Sequence, residues 1–174
     1  VTSDDSGRIV DFEIQEGKGD LRGYIARLGK KWQDDLPHTP VMVFDREGYG
    51  AEFFHNLTEQ GIAFVTWEKH IDTQKLKDLD AECFSEKFEF NGKVYRVFEG
   101  KKAFTHTPEK GPVQEFTLRR IYIWNVTSNR RTCALAGISA EQLITQDCAR
   151  AMLHRWGASE NTFKHLADRH PVHY

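Results

Sequence analysis

The strongest constraint on this chain is a short, wholly apolar run, Val41-Met42-Val43-Phe44, that stops abruptly at Asp45. A run of this length without polar alternation is expected of a strand covered on both faces, as in a parallel sheet lying under helices. A second apolar run, Ile62 to Trp67, follows at a distance that leaves room for one short helix. That helix is expected after Gly48 and Gly50, with Tyr49, Phe53, Phe54 and Leu57 on one face and Gly61 as its C-terminal cap. Upstream, Asp4 to Gly7 read as a tight turn and Arg8 to Ile14 as a strand, a hairpin whose first strand begins at Val1. Asp20 is placed to cap a helix running to about Asp35, with Leu21, Tyr24, Ile25, Leu28 and Trp32 at helical spacing. Pro37 and Pro40 end it. The order strand, helix, strand, helix, strand is that of an α/β sheet.

The pattern changes after residue 84. Phe88 to Phe90 and Val94 to Phe98 flank Asn91-Gly92, a pair that tolerates positive φ and so marks a hairpin. Pro108 to Pro112 read as a loop, Phe116 to Val126 as a strand, and Asn129 to Leu135 as its continuation in the sheet. Ser139 and Gln142 match a capping box, opening a helix towards Trp156 that is weakened at Gly157 and resumes through Arg169. The chain therefore divides into 1–72, a β-rich stretch 73–138, and a helical part 139–174.

Composition narrows the class. Hydrophobic residues make up 39% and charged residues 29%, too apolar a balance for a disordered chain. No apolar run is long enough to cross a bilayer, and no basic-then-apolar leader opens the sequence; no membrane association is expected. The chain starts at Val1 without a methionine, already in strand and turn, and is expected to be part of a longer polypeptide. Cys83, Cys133 and Cys148 lie far apart and form no CxxC pair, which points to a reduced, cytoplasmic compartment. The net charge of −2 hides an asymmetry. Residues 1–80 hold 10 Lys and Arg against 16 Asp and Glu, whereas residues 115–174 hold 8 against 5 with four histidines besides. A basic C-terminal part suits a polyanion, although a solvated face is the plainer account of an excess this small.

Two constellations can carry chemistry. The first is Asp45-Arg46-Glu47-Gly48-Tyr49, at the carboxyl end of the buried strand, where side chains leave the core of an open α/β sheet and meet a crevice. Its plainer account is a cap on the following turn. The second is Arg155-Trp156-Gly157-Ala158-Ser159-Glu160-Asn161-Thr162-Phe163-Lys164, on the C-terminal helix. Its plainer account is a solvent-facing helix with a Glu160–Lys164 pair. His165, His170 and His173 lack Cys partners and a recognised zinc spacing. Trp156 reads as core, and Arg119-Arg120 and Arg130-Arg131 read as exposed hairpin charges.

Taken together, the two constellations resemble a family. The segment VMVFDREGYGAEFFHNLTEQGIAFVTWEK is similar to the stretch around the second carboxylate of DDE transposases from bacterial insertion sequences, and MLHRWGASENTFKH is similar to the family's last block, a helical Glu preceded by Arg-Trp. Asp45 and Glu160 stand 115 residues apart, and the β-rich stretch between them lies where such transposases carry an inserted subdomain.

The resemblance implies an RNase H-like fold, a mixed sheet flanked by helices with an inserted β-rich subdomain. It also implies metal-dependent DNA strand cleavage and strand transfer. Asp45 and Glu160 would be two of three carboxylates binding a pair of Mg²⁺ or Mn²⁺ ions, with Arg46, Arg155 and Lys164 as phosphate contacts. DNA and a second or further copy of the chain would be the partners. One departure is the family's first catalytic Asp. Asp4 and Asp5 fall in a turn, so that Asp is expected upstream of Val1 and this fragment is expected not to cleave. In the best-known subgroup a Tyr, an Arg four residues before the Glu and a Lys seven after it accompany the Glu. Here those positions hold Met152 or Leu153, Trp156 and Ala167, which places the chain in another subgroup or in a decayed copy. The alternatives are a different RNase H-like nuclease and a transposase-derived DNA-binding or interaction module without catalysis.

Overall fold

The computed structural model describes residues 2–4, 6, 8–11, 19–37, 40–137 and 143–154. Strands β1 (Thr2–Ser3) and β2 (Ile9–Asp11) pair antiparallel. Helix α1 (Leu21–Asp35) opens at Asp20, whose carboxylate accepts from the Gly23 N–H at 2.9 Å, and ends where Leu36 turns extended ahead of Pro37. Strand β3 (Val41–Phe44), helix α2 (Ala51–Glu59) and strand β4 (Ala63–Trp67) then form a parallel β-α-β unit. A five-residue helix, α3 (Thr73–Lys77), is capped by Asp72. Strands β5 (Glu86–Phe90), β6 (Lys93–His106), β7 (Gln114–Asn125) and β8 (Arg130–Ala136) form an antiparallel meander. Residues 145–154 are a further helix, α4.

The six strands make one mixed sheet in the order β3-β4-β8-β7-β6-β5. The meander thus continues the sheet begun by the β-α-β unit, because β8 pairs antiparallel with β4. Helices α1 and α2 cover one face, where Ile25, Leu28, Phe53, Phe54 and Leu57 meet Phe44, Phe64, Leu118 and Leu135. Gly29 permits this approach, since a Cβ there would stand 2.9 Å from the Ile62 side chain. On the opposite face Cys148, Ala149 and Met152 of α4 pack on Val65, Trp67, Ile121, Ile123 and Ala134.

Several sequence expectations change here. The strand covered on both faces is β4, buried at all five positions, whereas β3 alternates half-buried and buried because it lies at the end of the strand order. The β1–β2 hairpin forms its own two-stranded sheet. Residues 143 and 144 are not helical, so α4 starts later than the Ser139/Gln142 box predicts; Ser139 and Gln142 themselves lie outside the described residues. The hairpin at Asn91-Gly92 forms as expected, with φ of 49° and 69° at the two turn residues. No described helix is long and apolar enough to cross a membrane.

Candidate functional site at the carboxyl ends of the parallel strands

Asp45 is the first residue past β3. Its Oδ1 accepts from the Arg46 N–H at 2.6 Å, and the chain makes one 3-10 turn, Arg46–Gly48. The cap expected as the plainer account of Asp45 is therefore present. The side chain is half-buried. Arg22 of α1 holds the end of this turn, donating from Nη2 to the Tyr49 carbonyl at 2.6 Å. Tyr49 then packs its ring edge-on against Phe54 and close to Phe104 and His70.

Glu68 leaves the neighbouring parallel strand at the same end. Phe44 pairs in register with Thr66, so Asp45 and Glu68 emerge from adjacent strands within about one residue rise of each other along the strand axis, ~3.3 Å. The Glu68 N–H donates to the Cys133 carbonyl at 3.0 Å, which extends the β4–β8 ladder by one bond. Its side chain is only 1% exposed, a placement a carboxylate tolerates only when paired.

The pairing is twofold. Arg120 of β7 donates from Nε to Oε2 at 2.7 Å and from Nη2 to Oε1 at 3.0 Å, and Lys102 of β6 donates to Oε1 at 2.5 Å. These two cations reach one carboxylate because Gly100 pairs with Arg120 and Lys102 with Leu118, making Lys102 and Arg120 diagonal neighbours on one face of the sheet. Arg120 also donates from Nη1 to the Tyr122 hydroxyl at 2.9 Å, and the Lys102 ammonium lies 3.3 Å from the Tyr49 hydroxyl. Burial alone would lower the Lys102 pKa. The hydrogen bond and charge of Glu68, helped by Tyr49, outweigh it and hold the pKa above its ordinary value. Thr66 Oγ1 and Trp67 Nε1, just ahead of Glu68, are buried with no hydrogen-bond partner.

The other sequence-derived candidates fall out as follows. Arg46 is exposed beside Asp45. Glu160, Arg155 and Lys164, and with them Trp156 and the three C-terminal histidines, lie outside the described residues. Of the arginines read as exposed hairpin charges, only Arg130 is one. Arg119 and Arg120 hold Glu99 and Glu68, and Arg131 donates to the Leu76, Lys77 and Leu79 carbonyls at the end of α3. The Glu68 cluster was missed because its three members are 34 and 52 residues apart. The one available signal was the position of Glu68, straight after an apolar run, like Asp45.

A divalent metal of the implied kind takes several oxygen ligands. Among the described residues no group of three His, Cys, Asp or Glu side chains is placed to hold one. Asp45 supplies one carboxylate from a strand end, and its implied partner Glu160 lies outside the described residues. No protein-family model matches the chain, and the search of curated proteins found no match.

Proposed function

We propose that this chain is the catalytic-core portion of a DDE transposase with an RNase H-like fold, its β-rich stretch 73–138 an inserted subdomain. The observation that carries the reading is the place of Asp45, at the carboxyl end of a parallel strand in a mixed sheet, followed by the turn, helix and strand that its motif requires. In the parent protein Mg²⁺ or Mn²⁺ would be held by carboxylates at this site and would supply Lewis-acid activation of the attacking oxygen and charge stabilisation of the leaving one. Asp45 would supply one ligand and Glu160 another. Arg46, Arg155 and Lys164 would hold phosphates as point or forked charges. DNA and further copies of the chain would be its partners, and the cytoplasm its compartment. Without the family's first Asp, the fragment itself is expected to bind DNA weakly and not to cut it.

A crystal of the chain soaked in Mn²⁺ tests this directly. The reading requires the Asp45 and Glu160 carboxylates to face one another across a cleft at metal-bridging range. Glu160 paired with Lys164 on a separate, solvated surface would remove it, leaving the two motifs structural. A transposase-derived module that only binds DNA would keep the cationic residues and show no anomalous peak at Asp45.

A further inference from the structure

We infer that Lys102 and Arg120, seated on buried Glu68, form a clamp for one backbone phosphate of a nucleic-acid strand. The inference deepens the proposed function and rests on it for the identity of the partner.

Charge is the first argument. Arg120 alone satisfies both Glu68 oxygens with a forked contact, so Lys102 brings a second cation that the carboxylate does not need. The cluster keeps a surplus positive charge. Access is the second. Glu68 is 1% exposed, while the Lys102 and Arg120 side chains are 26% and 23% exposed, so the anion is shut in below two cations that still reach solvent.

Donor capacity is the third argument. Of the five N–H groups on Arg120, two serve Glu68, one serves Tyr122 and one is directed at the Cys133 sulfur, leaving one for a ligand. Lys102 has three donors, of which Glu68 and Tyr49 engage two. Charged donors held rigid on a strand lose little freedom when a phosphate oxygen arrives.

Aromatic rings border the cations on two sides. Tyr122 stacks on Phe98 with ring centroids 4.1 Å apart, and Tyr49 stands on the other side of the cations, next to exposed His70. His70 is held at a φ of 56°, a conformation non-glycine residues seldom adopt. The cluster lies at the same end of the sheet as Asp45, four residues ahead of Tyr49 in the chain.

The test is oligonucleotide binding by fluorescence anisotropy, in EDTA, across a series of salt concentrations. Lys102→Gln leaves the Arg120–Glu68 fork intact and so preserves the fold. It is expected to weaken binding about fivefold and to make the slope of log K against log salt shallower by ~0.7. Lys102→Arg restores both, and Lys110→Gln, an exposed lysine between β6 and β7, changes neither. Inorganic phosphate at constant ionic strength is expected to displace the strand no better than chloride. An unchanged affinity and slope in Lys102→Gln overturns the clamp, and so does specific displacement by phosphate, which would make it a free-anion site. The Asp45–Glu160 separation in the Mn²⁺ crystal does not depend on Lys102, so the metal site and the clamp can fail separately.

Discussion

Glu99 and Arg119 grip each other across β6 and β7, with Arg119 Nη2 2.6 Å from one carboxylate oxygen and Nε 3.0 Å from the other. Both also reach the start of α4. Arg119 donates from Nη1 to the Leu143 carbonyl at 2.8 Å, and the Thr145 hydroxyl donates to Glu99 at 3.0 Å. One ion pair thus fastens the helix that leads towards Glu160 onto the sheet.

That fastening should be pH-dependent. The Arg119 hydrogen bond pulls the Glu99 pKa below its ordinary 4.5, against an opposing effect of burial, with the charge of Arg119 and the Thr145 hydroxyl adding to the lowering. A depressed carboxylate contributes stability that is fully present above 4.5 and lost as pH falls through the lower folded value. Glu99→Gln is expected to remove this acid-side dependence and to cost about 1–3 kcal/mol at neutral pH. Urea unfolding at a series of pH values measures both, and identical acid-side profiles for the two proteins would contradict the assignment.

The Glu68 triad makes a sharper mutational claim. Arg120→Gln leaves a buried carboxylate with Lys102 alone and is expected to destabilise the chain by about 3–5 kcal/mol. Lys102→Gln keeps the fork and should cost only about 1 kcal/mol. Chemical denaturation of the two variants checks the order, and equal losses would mean that the two cations share the burden evenly.

Thiol chemistry offers a quick test of packing. Burial raises the Cys133 thiol to about 12 and the Cys148 thiol to about 11, while Cys83 is exposed. Thiolate is the reactive form, so a disulfide reagent at neutral pH should modify Cys83 fast and the other two only on unfolding. A second fast-reacting thiol in the native protein would show that α4 does not hold Cys148 against the sheet, or that Cys133 of β8 is not buried, as described.

At the β5–β6 turn, a Cβ added to Gly92 would meet nothing within 4 Å, yet its φ is 69°. Gly92→Ala therefore isolates a purely conformational cost, expected at about 1–2 kcal/mol. A neutral result in thermal unfolding would mean that the turn relaxes to another type.

What could be read in advance was local. Val41–Phe44 and Ile62–Trp67 announce strands because all their residues but Thr66 are apolar, and Asn91-Gly92 announces its hairpin because few other pairs accept two positive φ values. Helix α3 escaped notice because five residues carry too little periodicity, although Asp72 caps it plainly. The place of β3 at the end of the strand order could not be read, since burial of a strand depends on neighbours that sequence does not name. The same holds for Glu68, whose partners come from two other strands. The position of Asp45 was legible, because it ends an apolar run.

Strand β4 carries a consequence for how the molecule assembles. It pairs with β3 on one side through a short helical crossover, and on the other with β8, where Val65 meets Ala136 across 71 residues of chain. The meander from β5 to β8, by contrast, closes through turns of a few residues and pays little loop entropy. The two halves can therefore gain structure separately, and the seam between β4 and β8 is where they must find each other. Pulse-labelled hydrogen exchange during refolding should protect the amides of β6 and β7 before those along that seam. A chain halted at this stage would expose the apolar edge of β4, so the join that unites the sheet is also its point of greatest exposure to aggregation during synthesis.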